Sequence, residues 1–285
     1  MVGNASTRTG YSPRLVRQLL DWMHAIPPAR DRSILVGLSA LQGSGKSTLA
    51  EQLVRASSEC GVTASMLALD DFYLGRRDRF RLARTIHPLL KTRGVPGTHD
   101  IPLLEATLDA LCQPDNGSPP HLPRFDKGRD TRLPRSRWRR VRQAPRLVIL
   151  EGWCVGLEAE SAQALIHPVN DLERDEDADG RWRRWVNQQL LDDYARLWKR
   201  LDRLLVLQAP GLDVIQNWRD EQERTLRTRV ASRAMSASEI VRFLAHTERL
   251  SRHALVSLPR KADVLVALGR QREIRSISGL EQPAA

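Results

Sequence analysis

Gly43-Ser-Gly-Lys-Ser-Thr48 sets two glycines, a lysine and three hydroxyls in six consecutive positions. In such a turn successive backbone N–H groups can point inward and wrap phosphate oxygens. Glycine is needed where a Cβ would block the approach or where φ is positive. Lys46 is placed to reach the β- and γ-phosphates of a nucleotide, and the Ser47 hydroxyl to ligate Mg²⁺. Gly43, Ser44, Gly45, Lys46, Ser47 and Thr48 are the candidate cradle. The strict pattern G-x-x-x-x-G-K-[ST] is not met, because Ala40 stands at its first glycine; alanine is small, so little is lost.

The elements that must position these residues are legible. The apolar run from Ile34 reads as a strand, and a helix is expected from about Lys46 to Glu59, with Leu49, Leu53 and Val54 toward the sheet. The helix N-terminus adds to the anion site. Gly61 ends the helix, and Val62 to Leu69 reads as a second, buried parallel strand. Its carboxyl end delivers Asp70 and Asp71 beside the cradle, where ligands of open α/β sheets gather. An alcohol attacking a γ-phosphate must lose a proton, and one of these aspartates can accept it. Adjacent strand residues face opposite ways, so only one should face the phosphate. Leu147–Leu150 reads as a third strand ending in Glu151-Gly152, resembling a Walker B strand; Glu151 would hold Mg²⁺ through water or orient Asp70. Leu204–Leu207 and Ala262–Leu268 complete the set.

The expected fold class is therefore α/β: a P-loop NTPase three-layer fold with a parallel five-strand sheet and helices on both faces. A single kinase domain over residues 1–285 is expected, with an N-terminal helix at about 12–26, a core at about 30–270 and a loose tail at about 271–285.

Composition narrows the class. The 285 residues are 28% charged and 41% hydrophobic, ordinary for a soluble globular chain. The net charge of +11 points to anionic partners without choosing among them. Cys60, Cys112 and Cys154 show no metal or disulfide spacing, which favours a reducing compartment and a cytoplasmic location. No signal peptide or apolar run of spanning length is present, so no membrane partner is expected. The sequence is silent on oligomeric state.

Ser12-Pro13 reads as a helix entry, and Ser236 with Glu239 as a capping box. Arg93 to Asp100 is a Gly/Pro-punctuated loop. Arg93 could pair with a carboxylate through its fork. Asp100 could bind substrate hydroxyls or cap the helix that follows, and His99 reads as structural. Residues 124–146 carry ten Arg or Lys against Asp126 and Asp130. That run could bind nucleic acid, but few aromatics interleave it, and a solvated loop is the plainer reading. The charged block 171–184 reads as a surface excursion. The arginine-rich helix from Ile215 to about Ala234 reads either as a lid bringing Arg219, Arg224, Arg227, Arg229 or Arg233 to the phosphates, or as a solvated face.

Asp70-Asp-Phe-Tyr73 resembles the D-S-F-Y element of uridine kinases and phosphoribulokinases. Arg93-Gly-Val-Pro-Gly-Thr-His-Asp100 resembles, more specifically, an element of the D-glycerate 3-kinase family. The likeness continues at Pro123–Lys127, Ile149–Trp153, Asn170–Glu173, Arg181–Asn187 and Trp218-Arg219, over roughly residues 30–245. It implies an ATP- and Mg²⁺-dependent kinase acting on a small molecule, glycerate first. Asp70 is implied as the base, with Lys46, Glu151 and Arg219 also catalytic. Ser47, Asp70 and Glu151 would lie at the metal. Asp71, Tyr73, Arg93, His99, Asp100, Arg124 and Lys127 would border the acceptor. Alternatives are a nucleoside, sugar-phosphate or pantothenate-type kinase of the same superfamily, or a nucleotide-switched RNA-binding protein.

Overall fold

Seven consecutive residues of Ile34–Ala40 are buried, as in a strand covered on both faces. In the computed structural model, which describes residues 10–27, 32–112, 120–229 and 236–280, this strand is the middle of the sheet. The strands are β1 (Ile34–Ala40), β2 (Ala64–Ala68), β3 (Leu147–Gly152), β4 (Arg203–Gln208), β5 (Val264–Leu268) and β6 (Ile274–Ser278), in spatial order β2-β3-β1-β4-β5-β6. The first five are parallel; β6 is antiparallel to β5.

The sheet thus has six strands, not the five expected, and the sixth falls within the stretch expected to be a loose tail. Ile274-Arg-Ser-Ile-Ser278 is exposed along its whole length. It lacks the apolar run that marks a buried strand, so only its pairing identifies it.

The helices are α1 (Pro13–His24), α2 (Lys46–Glu59), α3 (Arg76–Thr85), α4 (Ile101–Cys112), α5 (Asp171–Glu176), α6 (Arg181–Gln189), α7 (Asp213–Arg229) and α8 (Ala237–Ser257). Ser12 caps α1 with Pro13 at its first position, and Ser236 with Glu239 forms the capping box of α8. After α6 the chain passes through a π turn at Leu190–Tyr194 and a last helical turn at Ala195–Trp198. Val186, Leu190, Tyr194 and Leu197 are buried there, as the 3.6-residue spacing predicts. Of the helix expected to reach Ala234, α7 is described as far as Arg229; residue 233 and the side chains of residues 227 and 229 lie outside the described residues.

The charged block 171–184 is exposed along much of its length but is not only a surface excursion. Glu173, Asp177 and Arg183 are buried. Arg249 bonds both carboxylate oxygens of Glu173, at 2.8 and 2.7 Å, and Arg183 bonds Asp177 at 2.9 Å. Burying charge is tolerated when it is paired and hydrogen-bonded. Periodicity arguments see only the polarity of these residues and miss their partners; that of Glu173 lies 76 positions away.

The connection from β1 reaches β2 on one side, while β3 is followed by β4 on the other. The reversal of strand order beside β1 opens a crevice at the carboxyl ends of the strands.

Candidate active site

The cradle begins where β1 ends. Gly43 and Gly45 have φ of 77° and 91°, in the region that favours glycine. A Cβ on Gly43 would lie 2.6 Å from Cβ of Trp218 on α7, so this position also needs glycine for space. Gly45 precedes α2, whose first residue is Lys46. The free N–H groups of that helix end and its dipole favour an anion here. Ser44 is buried and its hydroxyl has no partner among the described residues; Ser47 and Thr48 are exposed.

The backbone carbonyls of the turn are held from outside. The Tyr11 hydroxyl donates to Ser44 O at 3.0 Å, and Arg272 Nε donates to Gly43 O at 2.5 Å. Neither residue belongs to the glycine-rich pattern.

At the floor, Ser47 Oγ donates to Glu151 Oε1 at 2.7 Å. Glu151 is 4% exposed, and burial pushes its carboxyl above its ordinary value against the opposing charge of Lys46. A hydroxyl beside a buried carboxylate is the hard oxygen donor set that Mg²⁺ takes.

Asp70 and Asp71 do not continue the strand, against the expectation that strand alternation would part them. β2 ends at Ala68, and Leu69–Phe72 forms one 3₁₀ turn. The two carboxylates nevertheless diverge. Asp70 Oδ2 accepts from Lys127 Nζ at 2.6 Å, and its Oδ1 accepts from the Tyr73 hydroxyl at 3.0 Å. Burial alone would raise the Asp70 carboxyl, but the charges of Lys127 and Lys46 and the Lys127 bond outweigh it and hold Asp70 well below the usual carboxylate range. Asp71 Oδ1 accepts from Phe125 N at 2.9 Å. Burial raises its carboxyl, with that bond opposing. Asp70 therefore faces the cationic site, and Asp71 anchors a neighbouring loop.

That loop is the small ladder pairing residues 125–126 with 131–132. Asp130 accepts from Arg79 at 2.5 Å and from Arg93. Arg93 also reaches Lys127 O at 3.3 Å and lies over the Phe125 ring. The Arg93 fork, expected for a substrate carboxylate, is engaged by Asp130. Arg132 donates to Asp100 Oδ2 at 2.9 Å. The other Asp100 oxygen caps α4 through Leu103 N at 3.2 Å, so the capping role is met. Arg124 is exposed and makes no side-chain hydrogen bond among the described residues.

Behind Asp70, Tyr73 stacks on His99 with ring centroids 4.4 Å apart. Gly97 N–H donates to the Tyr194 hydroxyl oxygen at 3.1 Å, and that hydroxyl shares a hydrogen bond of 2.5 Å with His99 Nδ1. The other ring nitrogen of His99, Nε2, is a buried atom with no partner among the described residues. Burial lowers the His99 pKa to about 4, despite the charge of Asp70. Arg219, on α7 next to Trp218, lies over the Phe243 ring at 5.5 Å.

No family model matches the chain. It is 31% identical over 245 residues to an uncharacterized kinase of Schizosaccharomyces pombe, across 81% of this chain and 84% of that protein. It is 27% identical over 228 residues to the chloroplastic D-glycerate 3-kinase of Arabidopsis thaliana, across 77% of this chain and 46% of that protein. The chain belongs to the D-glycerate 3-kinase family of P-loop kinases. Its fold matches the solved D-glycerate 3-kinase of Cryptococcus neoformans with a TM-score of 0.71 at 24% identity, over 93% of this chain and 96% of that one.

Membership in this kinase family makes the chain a nucleotide-binding phosphotransferase. No helix among the described residues is long and apolar enough to cross a membrane. The three cysteines are free, with Cys112 and Cys154 buried. Sequence reasoning missed Tyr11, Asp130, Tyr194 and Arg272. Tyr11 and Arg272 lie in stretches that read as loose ends. Asp130 was hidden in a run that reads as basic, and Tyr194 was visible only as one member of an apolar helix face.

Proposed function

We propose that this kinase transfers the γ-phosphoryl group of ATP to a hydroxyl of D-glycerate. The observation that carries the reading is Asp70: an ionised carboxylate at the carboxyl edge of the sheet, oriented by Tyr73, paired with Lys127 and within the field of Lys46. Such a group can accept the proton of an attacking hydroxyl. Phosphoryl transfer asks mainly for positioning and charge stabilisation, and the residues divide accordingly. The turn Gly43–Thr48 holds the phosphates and Lys46 reaches the transferring one. Arg219, which lies over the Phe243 ring, would stabilise the same group from α7.

Ser47, Glu151 and Asp70 would hold Mg²⁺. When bound, Mg²⁺ neutralises charge on the phosphate oxygens. The raised carboxyl of Glu151 fits this role, because a buried carboxylate gains from a cation at its open side.

Two things support glycerate as acceptor. One is the kinship with a D-glycerate 3-kinase. The other is the set of cations at the acceptor edge, Arg93, Arg124 and Lys127, which suits a small acceptor carrying its own carboxylate. Tyr73, His99 and Asp100 shape this edge from behind, with the buried His99 Nε2 left over as a polar atom.

The test is steady-state kinetics with D-glycerate, uridine and pantothenate as acceptors and Mg-ATP as donor. Turnover with D-glycerate is expected. Turnover only with uridine or pantothenate would overturn the acceptor and leave the kinase standing.

A further inference from the structure

Arg272 sits at the hairpin between β5 and β6. Arg272 N donates to Gly269 O at 3.0 Å and Gly269 N to Glu273 O at 2.7 Å, closing a tight turn. Arg272 holds φ at 65°, a region a side chain enters at a cost and glycine enters freely. Its side chain is only 13% exposed. Nε donates to Gly43 O, one terminal nitrogen to Trp218 O at 3.3 Å, and the other to Glu221 Oε2 at 2.7 Å. The guanidinium lies 4.9 Å from the Trp218 ring centre, and Trp218 is the residue packed against Gly43.

Tyr11 meets the next carbonyl. Its hydroxyl donates to Ser44 O, while its backbone is tied to Gln52 on α2 at 2.9 and 3.0 Å. Burial raises the Tyr11 hydroxyl above its ordinary value even with Arg272 close by, so it stays protonated and a donor.

The C=O and the following N–H of a trans peptide point in opposite directions. Pulling Gly43 O toward Arg272 turns Ser44 N–H the other way. Pulling Ser44 O toward Tyr11 does the same to Gly45 N–H. Ser44 N–H is poorly used by the protein, since its bond to Leu41 O is 3.4 Å long.

We propose that Arg272 and Tyr11 are positioning residues for nucleotide phosphate: they hold two consecutive carbonyls of the glycine-rich turn outward, so that its N–H groups form the anion cradle before the ligand arrives. This rests on the reading of residues 43–48 as the phosphate site. An oriented cradle needs no reorganisation on binding, which raises affinity for the phosphate chain whatever base it carries.

The experiment compares two ligands. Mg-ATP and Mg-tripolyphosphate are titrated calorimetrically into the wild type and into Arg272→Gly, Arg272→Lys and Tyr11→Phe, with circular dichroism as the check on folding. Arg272→Gly suits the positive φ, so it removes the guanidinium without adding backbone strain. Both ligands should weaken in Arg272→Gly by a similar factor, roughly ten- to a hundredfold for the loss of a charge-assisted bond. Tyr11→Phe removes one neutral bond and should weaken both by roughly three- to tenfold. Arg272→Lys should recover part of the loss. In kinetics KM for ATP should rise while KM for the acceptor is unchanged.

Unchanged affinities in folded Arg272→Gly and Tyr11→Phe overturn the proposal. So does a loss confined to ATP with tripolyphosphate unaffected, which would make Arg272 a contact for the base. A wild type that binds neither ligand removes the phosphate site itself, and the proposal with it.

Discussion

Lys127 Nζ lies 2.6 Å from Asp70 Oδ2, joining residues 57 positions apart in the chain. The carboxylate we propose as the base is thus already paired with a cation. Three further contacts bring Lys127 there: Asp71 with Phe125 N, Asp100 with Arg132, and Arg93 with Asp130. The loop from 124 to 132 carries the cation, and Asp71, Asp100 and Arg93 fasten the loop.

Replacing Lys127 by alanine should therefore move the acid limb of the kcat/KM profile. The pair keeps Asp70 ionised to low pH, and an opposite charge at this distance lowers a carboxyl by roughly 1 to 3 pH units. Without Lys127 that limb, which reports the free enzyme's base, should rise by about the same amount. A profile superimposable on the wild type would mean that Asp70 does not govern it.

Asp70→Asn should reduce kcat by about 10²- to 10⁴-fold with ATP affinity nearly intact, because the amide keeps shape but cannot accept the proton. Asp71→Asn keeps an acceptor oxygen for Phe125 N and should lose less than about tenfold. A reversed ranking would make Asp71 the base.

Arg93→Lys keeps the charge and loses the planar fork. KM for D-glycerate should rise roughly ten- to a hundredfold, with KM for ATP unchanged. Asp130 competes for the same fork, so Asp130→Asn should lower KM for D-glycerate. An unchanged glycerate KM in Arg93→Lys would remove Arg93 from acceptor binding and point to Arg124.

His99 gives a stability signature. Its folded pKa is depressed to about 4, while an unfolded histidine titrates near 6.5. Below about pH 6.5 the unfolded chain takes up a proton that the native site refuses, so stability is lost as pH falls toward 4. The slope is at most about 1.4 kcal/mol per pH unit. Urea unfolding at pH 7 and pH 5 should show a gap smaller by up to about 2 kcal/mol in His99→Gln than in the wild type. Other buried histidines contribute equally to both proteins. Equal gaps would mean that His99 is protonated in the fold.

What the sequence made legible were features written in neighbouring residues. β1 and α2 follow from one apolar run and one glycine turn, and the observed start of β1 at Ile34 and bounds of α2 at Lys46 and Glu59 match the expectation. Glu151 was found because it ends a buried strand, and the capping role of Asp100 because Asp precedes a helix. The missed features depend on distant partners. Glu173 looks solvated until Arg249 is placed beside it. Arg93 looks free for a ligand until Asp130 arrives from 37 positions away. The sixth strand has no apolar pattern, and only its pairing with β5 defines it.

The contact between Arg272 and Gly43 spans 229 positions. Closing so long a segment is entropically late in folding, well after the local turn and α2 can form. A chain made at roughly 5–20 residues per second needs about 10 to 50 s to extend from one residue to the other. During that interval the growing polypeptide carries the glycine-rich turn without its guanidinium brace. Nucleotide binding would mature only when the β5–β6 hairpin docks, so a chain interrupted before residue 272 would keep the motif but hold phosphate weakly.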